Sequence, residues 1–238
     1  MKILLTGATG YIGKRLLPLL VELGHDVICC VRDKNRFYCP TDLQDHVTVI
    51  EVDFLNQETL ASIPTEIDAA YYLIHSMSGS ASNFDDLESE SATNFVERLN
   101  KTLVKQVIYL SGIVNDDSLS KHLSSRKKVE EILNTGSFAT TTLRAGIIVG
   151  SGSASFEIIR DLVNKLPVMI TPRWLNTKCQ PIAITDVLEL LSKSLLNPET
   201  YNQSFDIGGP DILTYKEMLL GFAEAKNLKR WIVTVPIM

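Results

Sequence analysis

The chain lacks any apolar run approaching the roughly 20 residues that span a bilayer. No cleavable leader pattern precedes its first apolar segment, so no membrane association and a cytoplasmic location are expected. Its four cysteines, Cys29, Cys30, Cys39 and Cys179, show neither the density of a disulfide framework nor a metal-ligand spacing. No metal site is therefore expected, and Cys29 and Cys30 should pack on the two faces of one strand. Basic residues never run beyond Arg126-Lys127-Lys128, and the net charge is −5. Both facts argue against a nucleic-acid or anionic-membrane surface, and the triplet reads as a helix face. Internal repeats and low-complexity stretches are missing too. What remains is 238 residues with 45% hydrophobic content, enough for one large α/β domain or a domain with a small lobe.

The most informative segment is the N-terminus. An apolar run, Met1 to Leu5, meets Thr6-Gly7-Ala8-Thr9-Gly10-Tyr11-Ile12-Gly13 and then a leucine-rich stretch to Leu23. A strand feeding a glycine-spaced turn that opens an amphipathic helix is the first βα unit of a dinucleotide-binding fold. Gly7 would allow the tight turn, Gly10 the approach of backbone N–H groups to a pyrophosphate, and Gly13 close helix–strand packing. Thr9, Tyr11 and Ile12 fall where phosphates would sit on the positive end of the helix. A purely structural glycine turn is the competing interpretation.

Short β-rich runs alternate with helical patterns, the signature of a doubly wound parallel sheet with helices on both faces, a Rossmann-type α/β fold. Candidate strands are Lys2–Thr6, Asp26–Val31, Val47–Glu51, Ala69–Ile74, Gln106–Leu110 and Thr140–Arg144. Helices are expected near Tyr11–Leu23, where Pro18 should cost a hydrogen bond or kink the axis, and near Asn83–Leu103 and Ser120–Asn134. This core is assigned to residues 1–150. Past Gly150 the pattern changes to a Gly/Ser turn, a helix over Ala154–Lys165, a Pro-punctuated loop through Pro167, Pro172 and Pro181, and helices over Thr185–Leu196 and Thr214–Lys226. Thr185-Asp186 has the character of an N-cap pair. Residues 151–238 are assigned to a small C-terminal substrate lobe continuous with the core.

Dinucleotide folds choose between NAD and NADP at the end of the second strand. Arg32 stands there with Arg36 four residues on, and two guanidiniums suit a 2′-phosphate, which favours NADP. Asp33 suits a ribose 2′-OH and keeps NAD open, and an exposed charged turn is the bland alternative. Asp53-Phe54, after the third strand, offers the adenine a carboxylate and an apolar face, or else simply starts a turn. His75, at the carboxyl end of the fourth strand, is a better cofactor or substrate neighbour than His25 or His46.

The glycine pattern, Val31-Arg32, Val52-Asp53-Phe54 and Leu110-Ser111-Gly112 together resemble an atypical short-chain dehydrogenase/reductase. Within that superfamily the chain is similar to the NmrA-like, NAD(P)-binding branch often labelled nucleoside-diphosphate-sugar epimerase. The segments Gly150–Glu157, Pro167–Trp174 and Phe205–Pro210 resemble a bacterial subgroup whose members usually carry a further C-terminal domain, so such a domain is an expectation for the full-length protein. Active members of the superfamily carry a Tyr-x-x-x-Lys pair followed four residues on by Glu. Laid on Val129-Glu130-Glu131, that pattern puts His122 at the tyrosine position and Arg126 at the lysine position, with the helper serine at Ser111 or the position falling on Gly112. The resemblance thus implies a catalytic set of His122, Arg126 and Ser111 with two altered members. A histidine titrating near 6.5 needs no shift to act as a general acid, while a solvated His/Arg pair on a helix is the structural alternative. Tyr109, alternating with Ser111, is a candidate for the core rather than for chemistry.

In the C-terminal lobe Arg173, Trp174 and Gln180 are expected to face the nicotinamide end and hold an anionic or aromatic small-molecule substrate, against the alternative of a packing loop. Two functions follow. One is an NADP-dependent oxidoreductase acting on a small molecule. The other is a non-catalytic NADP-binding regulator or assembly factor of the NmrA-like type.

Overall fold

The computed structural model describes residues 1–74, 84–113 and 121–235, with side chains at all of these except 84 and 121–123. The chain forms two compact units, one of residues 1–144 with 188–206 and one of 145–187 with 207–238. The sequence boundary at 150/151 thus lies six residues past the observed division, and residues 188–206 join the first unit because they supply a further strand and packing partners for its sheet.

The first unit is built on β1 (Lys2–Leu5), α1 (Gly13–Glu22), β2 (Asp26–Val31), β3 (Val47–Glu51), β4 (Ala69–Tyr72), α2 (Phe84–Leu99), β5 (Gln106–Gly112), α3 (Lys121–Leu133) and β6 (Ala139–Ala145). A seventh strand, Gln203–Ile207, lies at the edge beside β6, giving the order 203–207, β6, β5, β4, β1, β2, β3. The pairings β1–β2, β2–β3, β1–β4 and β4–β5 are parallel, with Leu4 opposite both Ile28 and Ala70. The order reverses at β1: the chain leaves it for β2 and β3 on one side and returns to β4 on the other. This is the Rossmann-type arrangement, and the crevice at the carboxyl ends of β1 and β4 is its switch point.

Strand alternation sorts the core. Leu4, Ile28, Cys30, Ala70, Tyr72, Val107 and Tyr109 form one apolar cluster with Phe95 and Leu99 of α2 and Val129 and Leu133 of α3. Cys29 is buried as well but lies outside that cluster, as expected for neighbours on opposite faces, and burial pushes its thiol up to about 12. Tyr71 also points the other way, where its hydroxyl donates to the Leu191 carbonyl at 3.0 Å. Pro18 is accommodated inside α1, leaving the Lys14 carbonyl without its helical N–H donor. Arg144 of β6 makes a forked pair with the buried Glu130 of α3, Nε–Oε2 3.1 Å and Nη2–Oε1 2.7 Å, and Ser204 Oγ adds a bond to Glu130 at 2.6 Å. Helix, strand and edge strand are thereby tied by one fully satisfied carboxylate.

The second unit contains α4 (Ala154–Lys165), α6 (Tyr215–Ala225) and most of the first turn of α5 (Ile184–Lys193). The stretch expected to be a Pro-punctuated loop contains strand Val168–Pro172, which pairs in parallel with Trp231–Val235. Short apolar runs bounded by prolines carry no periodicity long enough to announce a strand. Met169 and Ile232 face Val163, Leu219 and Ala223 of the two helices. Helix α5 starts at Ile184, so Thr185 and Asp186 fall in its first turn rather than at its cap. Thr214 caps α6 with a reciprocal bond to Glu217, a complete capping box.

Candidate functional site

The crevice at the ends of β1 and β4 is closed by Thr6. Its Oγ donates to the Tyr71 carbonyl at 2.9 Å and accepts the Leu73 N–H at 3.0 Å. The chain then turns at Gly7, with φ +66°, a left-handed conformation that only glycine adopts without strain. A Cβ on Gly7 would lie 2.5 Å from the Leu73 carbonyl oxygen, and one on Gly13 would lie 2.3 Å from that of Gly7. The loop therefore packs backbone against backbone, which leaves its outer side free for a ligand. Ile12 occupies the N-cap position of α1, with no side-chain cap and no acidic residue in the first turn. The Lys14 and Arg15 N–H groups bond to the Gly10 and Ile12 carbonyls, and the positive end of a helix without a side-chain cap suits an anion. Arg15 lies over the Tyr11 ring, 4.0 Å from its centroid, and donates to the Tyr11 carbonyl. The Tyr11 hydroxyl is buried without a hydrogen-bond partner among the described residues.

At the end of β2, Asp33 accepts the Asn35 N–H at 2.9 Å and caps a single 3₁₀ turn. Arg32 and Arg36 on either side are exposed. Asp53 similarly accepts the Leu55 N–H at 3.0 Å. Phe54 is buried in the core against Phe95, with ring centroids 5.5 Å apart, so its ring does not face an adenine; the expectation for that side chain is corrected by the apolar contact it finds. His75 lies outside the described residues.

A second group of polar side chains gathers where β5 meets α3. Tyr109 and Ser111 point to the same face, and the Tyr109 hydroxyl donates to the Arg126 carbonyl at 3.5 Å. Burial pushes the Tyr109 phenol up, opposed first by the positive charge of Arg126. The phenol also feels the Ser111 hydroxyl, although Ser111 Oγ is buried without a hydrogen bond of normal geometry. Arg126 Nη1 reaches the Leu110 carbonyl at 3.4 Å, which brings its cation to the end of β5 beside Ser111. His122 lies in α3 one turn before Arg126, and its side chain lies outside the described residues. Tyr109 belongs to the core cluster, on the same face of β5 as Ser111. Glu88 of α2, buried and bonded by the Ser125 hydroxyl, carried no sequence signal beyond an acidic residue on an amphipathic helix.

In the second unit Arg173 and Trp174 open a 3₁₀ turn, and Trp174 is 59% exposed, edge-on to Tyr215 with centroids 5.7 Å apart. Gln180 is used internally: its Nε2 donates to the Gly209 carbonyl at 2.6 Å, and its side chain fills the space beside Gly208, where a Cβ would meet it at 2.7 Å. Among the described residues no group of three or more His, Cys, Asp or Glu could hold a metal ion, and no helix is long and apolar enough to cross a membrane.

Residues 7–154 match the profile of a family described as NAD(P)H-binding. The NADH-ubiquinone oxidoreductase 40 kDa subunit of Neurospora crassa mitochondria is 24% identical over 216 residues, covering 89% of this chain and 56% of that protein. A chloroplastic divinyl chlorophyllide a 8-vinyl-reductase of Arabidopsis thaliana is 23% identical over 227 residues, covering 88% and 54%. The chain thus spans about half the length of the curated relatives it matches. Among solved structures, a nucleoside-diphosphate-sugar epimerase from Staphylococcus aureus superposes with TM-score 0.79 at 20% identity, over all of this chain and 81% of that one. A short-chain dehydrogenase/reductase superfamily protein from Agrobacterium tumefaciens with bound NAD superposes with TM-score 0.77 at 16% identity, over all of this chain and 86% of that one. These likenesses establish the Rossmann-type fold.

Proposed function

The chain belongs to the NAD(P)H-binding family, and from that premise we propose that it is a cytoplasmic NADP-dependent oxidoreductase acting on a small molecule. The observation that carries the choice of cofactor is the pair of exposed guanidiniums around Asp33. One oxygen of the Asp33 carboxylate accepts the Asn35 N–H, which holds that side chain against its own 3₁₀ turn. Arg32 and Arg36 remain exposed beside it, two forked donors for a phosphate. The family allows either nucleotide, and this arrangement favours NADP.

The residues present fit a dinucleotide. Gly7, Thr9, Gly10 and Gly13 form the turn, and the Tyr11–Gly13 segment opens the uncapped helix that would hold the pyrophosphate. Two buried hydroxyls, Tyr11 Oη and Ser111 Oγ, have no hydrogen bond of normal geometry among the described residues, a state that a bound ligand would relieve. When bound, the nicotinamide supplies a hydride. The protein's part is to hold the substrate oxygen, stabilise negative charge and deliver a proton. The Arg126 guanidinium stands at the end of β5, within reach of the Leu110 carbonyl. Ser111 offers a hydroxyl for the same oxygen, and His122, one helical turn before Arg126, is the proposed proton donor. The oxidoreductase class is supported by the names of the two curated relatives. Arg173 and Trp174 are proposed as substrate contacts, whereas Gln180, spent on Gly209, becomes a support for that loop.

The test is a fluorescence titration with NADPH and NADH, followed by quinones and aldehydes while nucleotide oxidation is monitored. Tight NADPH binding with substrate-dependent oxidation supports the reading; tight binding without oxidation across the panel favours the regulator. Arg32→Ala should weaken NADPH binding by about 10- to 100-fold, the range for a charge-assisted phosphate contact, and leave NADH binding within about twofold. Equal losses would remove the NADP assignment. His122→Ala should abolish oxidation while keeping NADPH affinity, and unchanged turnover would remove His122 from the mechanism.

A further inference from the structure

Glu88 is an ionisable side chain buried to 6% exposure at a place where the proposed chemistry does not use it. It sits in α2, whose residues Ala92, Phe95, Val96 and Leu99 face the core at helical spacing. By that periodicity the next position toward the N-terminus of the face calls for an apolar side chain. Burying a carboxylate there without compensation would be costly, so its retention needs a physical role. The Ser125 hydroxyl of α3, itself 2% exposed, donates to Glu88 Oε2. Ser125 immediately precedes Arg126, whose guanidinium reaches the Leu110 carbonyl and whose own carbonyl accepts from Tyr109. The two charges act on the same buried phenols in opposite senses: Glu88 raises and Arg126 lowers both Tyr72 and Tyr109. The buried carboxylate and the half-buried guanidinium therefore flank the same two phenols, joined through the Ser125–Arg126 turn of α3.

We infer that Glu88 is a positioning residue for Arg126: through the Ser125 hydroxyl it fixes the turn of α3 that carries the cation, and its charge keeps that cation at the end of β5. Among the described residues Arg126 has a long bond to the Leu110 carbonyl and a contact with the Tyr109 phenol, on a flexible side chain that gains freedom in solvent. Glu88 supplies a further restraint from the neighbouring helix. The inference rests on the proposal that the β5–α3 junction contacts the nicotinamide half of the cofactor.

The test is a double-mutant cycle on NADPH affinity, which needs no turnover. Arg126→Met should weaken binding by about tenfold, the loss of one charge-assisted contact. Glu88→Gln keeps the shape and removes the charge; it should weaken binding by about fivefold in the parent chain and by less than about 1.5-fold on top of Arg126→Met. Ser125→Ala removes the hydroxyl and keeps the charge, and should show the same dependence on Arg126. A Glu88 that merely supports the fold would lower affinity equally in both backgrounds, and that additive result overturns the inference while leaving the site intact. Parental affinity in Arg126→Met overturns the placement of the nicotinamide site and the inference with it. Thermal melts of all variants without nucleotide are read alongside, and non-additive binding in both Glu88→Gln and Ser125→Ala is the supporting outcome.

Discussion

Replacing Gly13 by alanine is expected to cost about 3 kcal/mol of stability, while replacing Gly10 by alanine costs less than about 1 kcal/mol and removes nucleotide binding. The two glycines stand three residues apart in one loop, yet a Cβ meets different things at each. At Gly13 it would lie 2.3 Å from the Gly7 carbonyl oxygen and 2.9 Å from Ala8 Cα. Both are backbone atoms of the turn, and they can retreat only by lifting α1 off β1 or opening the left-handed bend at Gly7. At Gly10 the nearest atom is the Gly7 carbonyl oxygen at 3.1 Å, a contact that a shift of a few tenths of an ångström relieves. The Cβ there would point from an exposed residue into the space over the N-terminus of α1. Gly13→Ala should therefore lower the midpoint of thermal unfolding by about 6–12 °C in the absence of nucleotide. Gly10→Ala should melt within about 3 °C of the parent chain but lose at least about 100-fold in NADPH affinity. Equal melting of both variants with undiminished binding would mean that the turn is structural only.

Much of the first unit was legible in the sequence because its signals are local. The glycine spacing, the strand ahead of it and the helix behind it are all read within about fifteen residues, and the structure places them at the switch point of the sheet. Strands β1 to β6 were located to within about two residues, since each is a short apolar run between turn residues. The seventh strand, Gln203–Ile207, was missed because four of its five residues are exposed and its membership depends on pairing with β6 across sixty residues of intervening chain. The strand Val168–Pro172 was hidden by the prolines around it. At the site, Arg32 and Arg36 were legible as charges, but the bond of Asp33 to the Asn35 N–H was not, because an Asx-type cap is visible only once the turn has formed. Phe54 was read as a possible adenine neighbour from its position after β3, and the apolar pocket supplied by Phe95, forty-one residues away, decided otherwise. Glu88 was silent for the same reason, since its meaning comes from Ser125 on another helix.

Gln106 is the residue whose replacement should destabilise the first unit most after Gly13. It opens β5 with no exposed surface, and every polar atom of its amide is used. Nε2 contacts Thr141 Oγ1 at 2.8 Å, the Ser194 carbonyl at 2.9 Å and Thr200 Oγ1 at 3.3 Å, while Oε1 accepts the Leu196 N–H at 2.5 Å. Leu196 itself holds φ +49°, a left-handed conformation that costs a branched residue of this kind on the order of 1 kcal/mol or more unless its surroundings impose it. One amide thus fastens the chain that leaves α5 to the centre of the sheet. Gln106→Leu keeps the volume but strands a buried N–H and a carbonyl, for an expected loss of about 3 kcal/mol. Gln106→Glu keeps the shape and replaces the donor by an acceptor aimed at the Ser194 carbonyl. Burial without a cation raises the folded-state pKa of such a carboxyl above its unfolded value near 4.3, so its penalty is least below that value and grows as the pH rises through the folded pKa. Chemical denaturation of the two variants should find Gln106→Glu the less stable by about 1–2 kcal/mol near pH 8, with the gap closing toward pH 4, where the protonated acid donates as the amide did. A gap independent of pH would show that the carboxyl escapes to solvent and that the amide is not the fastener inferred from its four contacts.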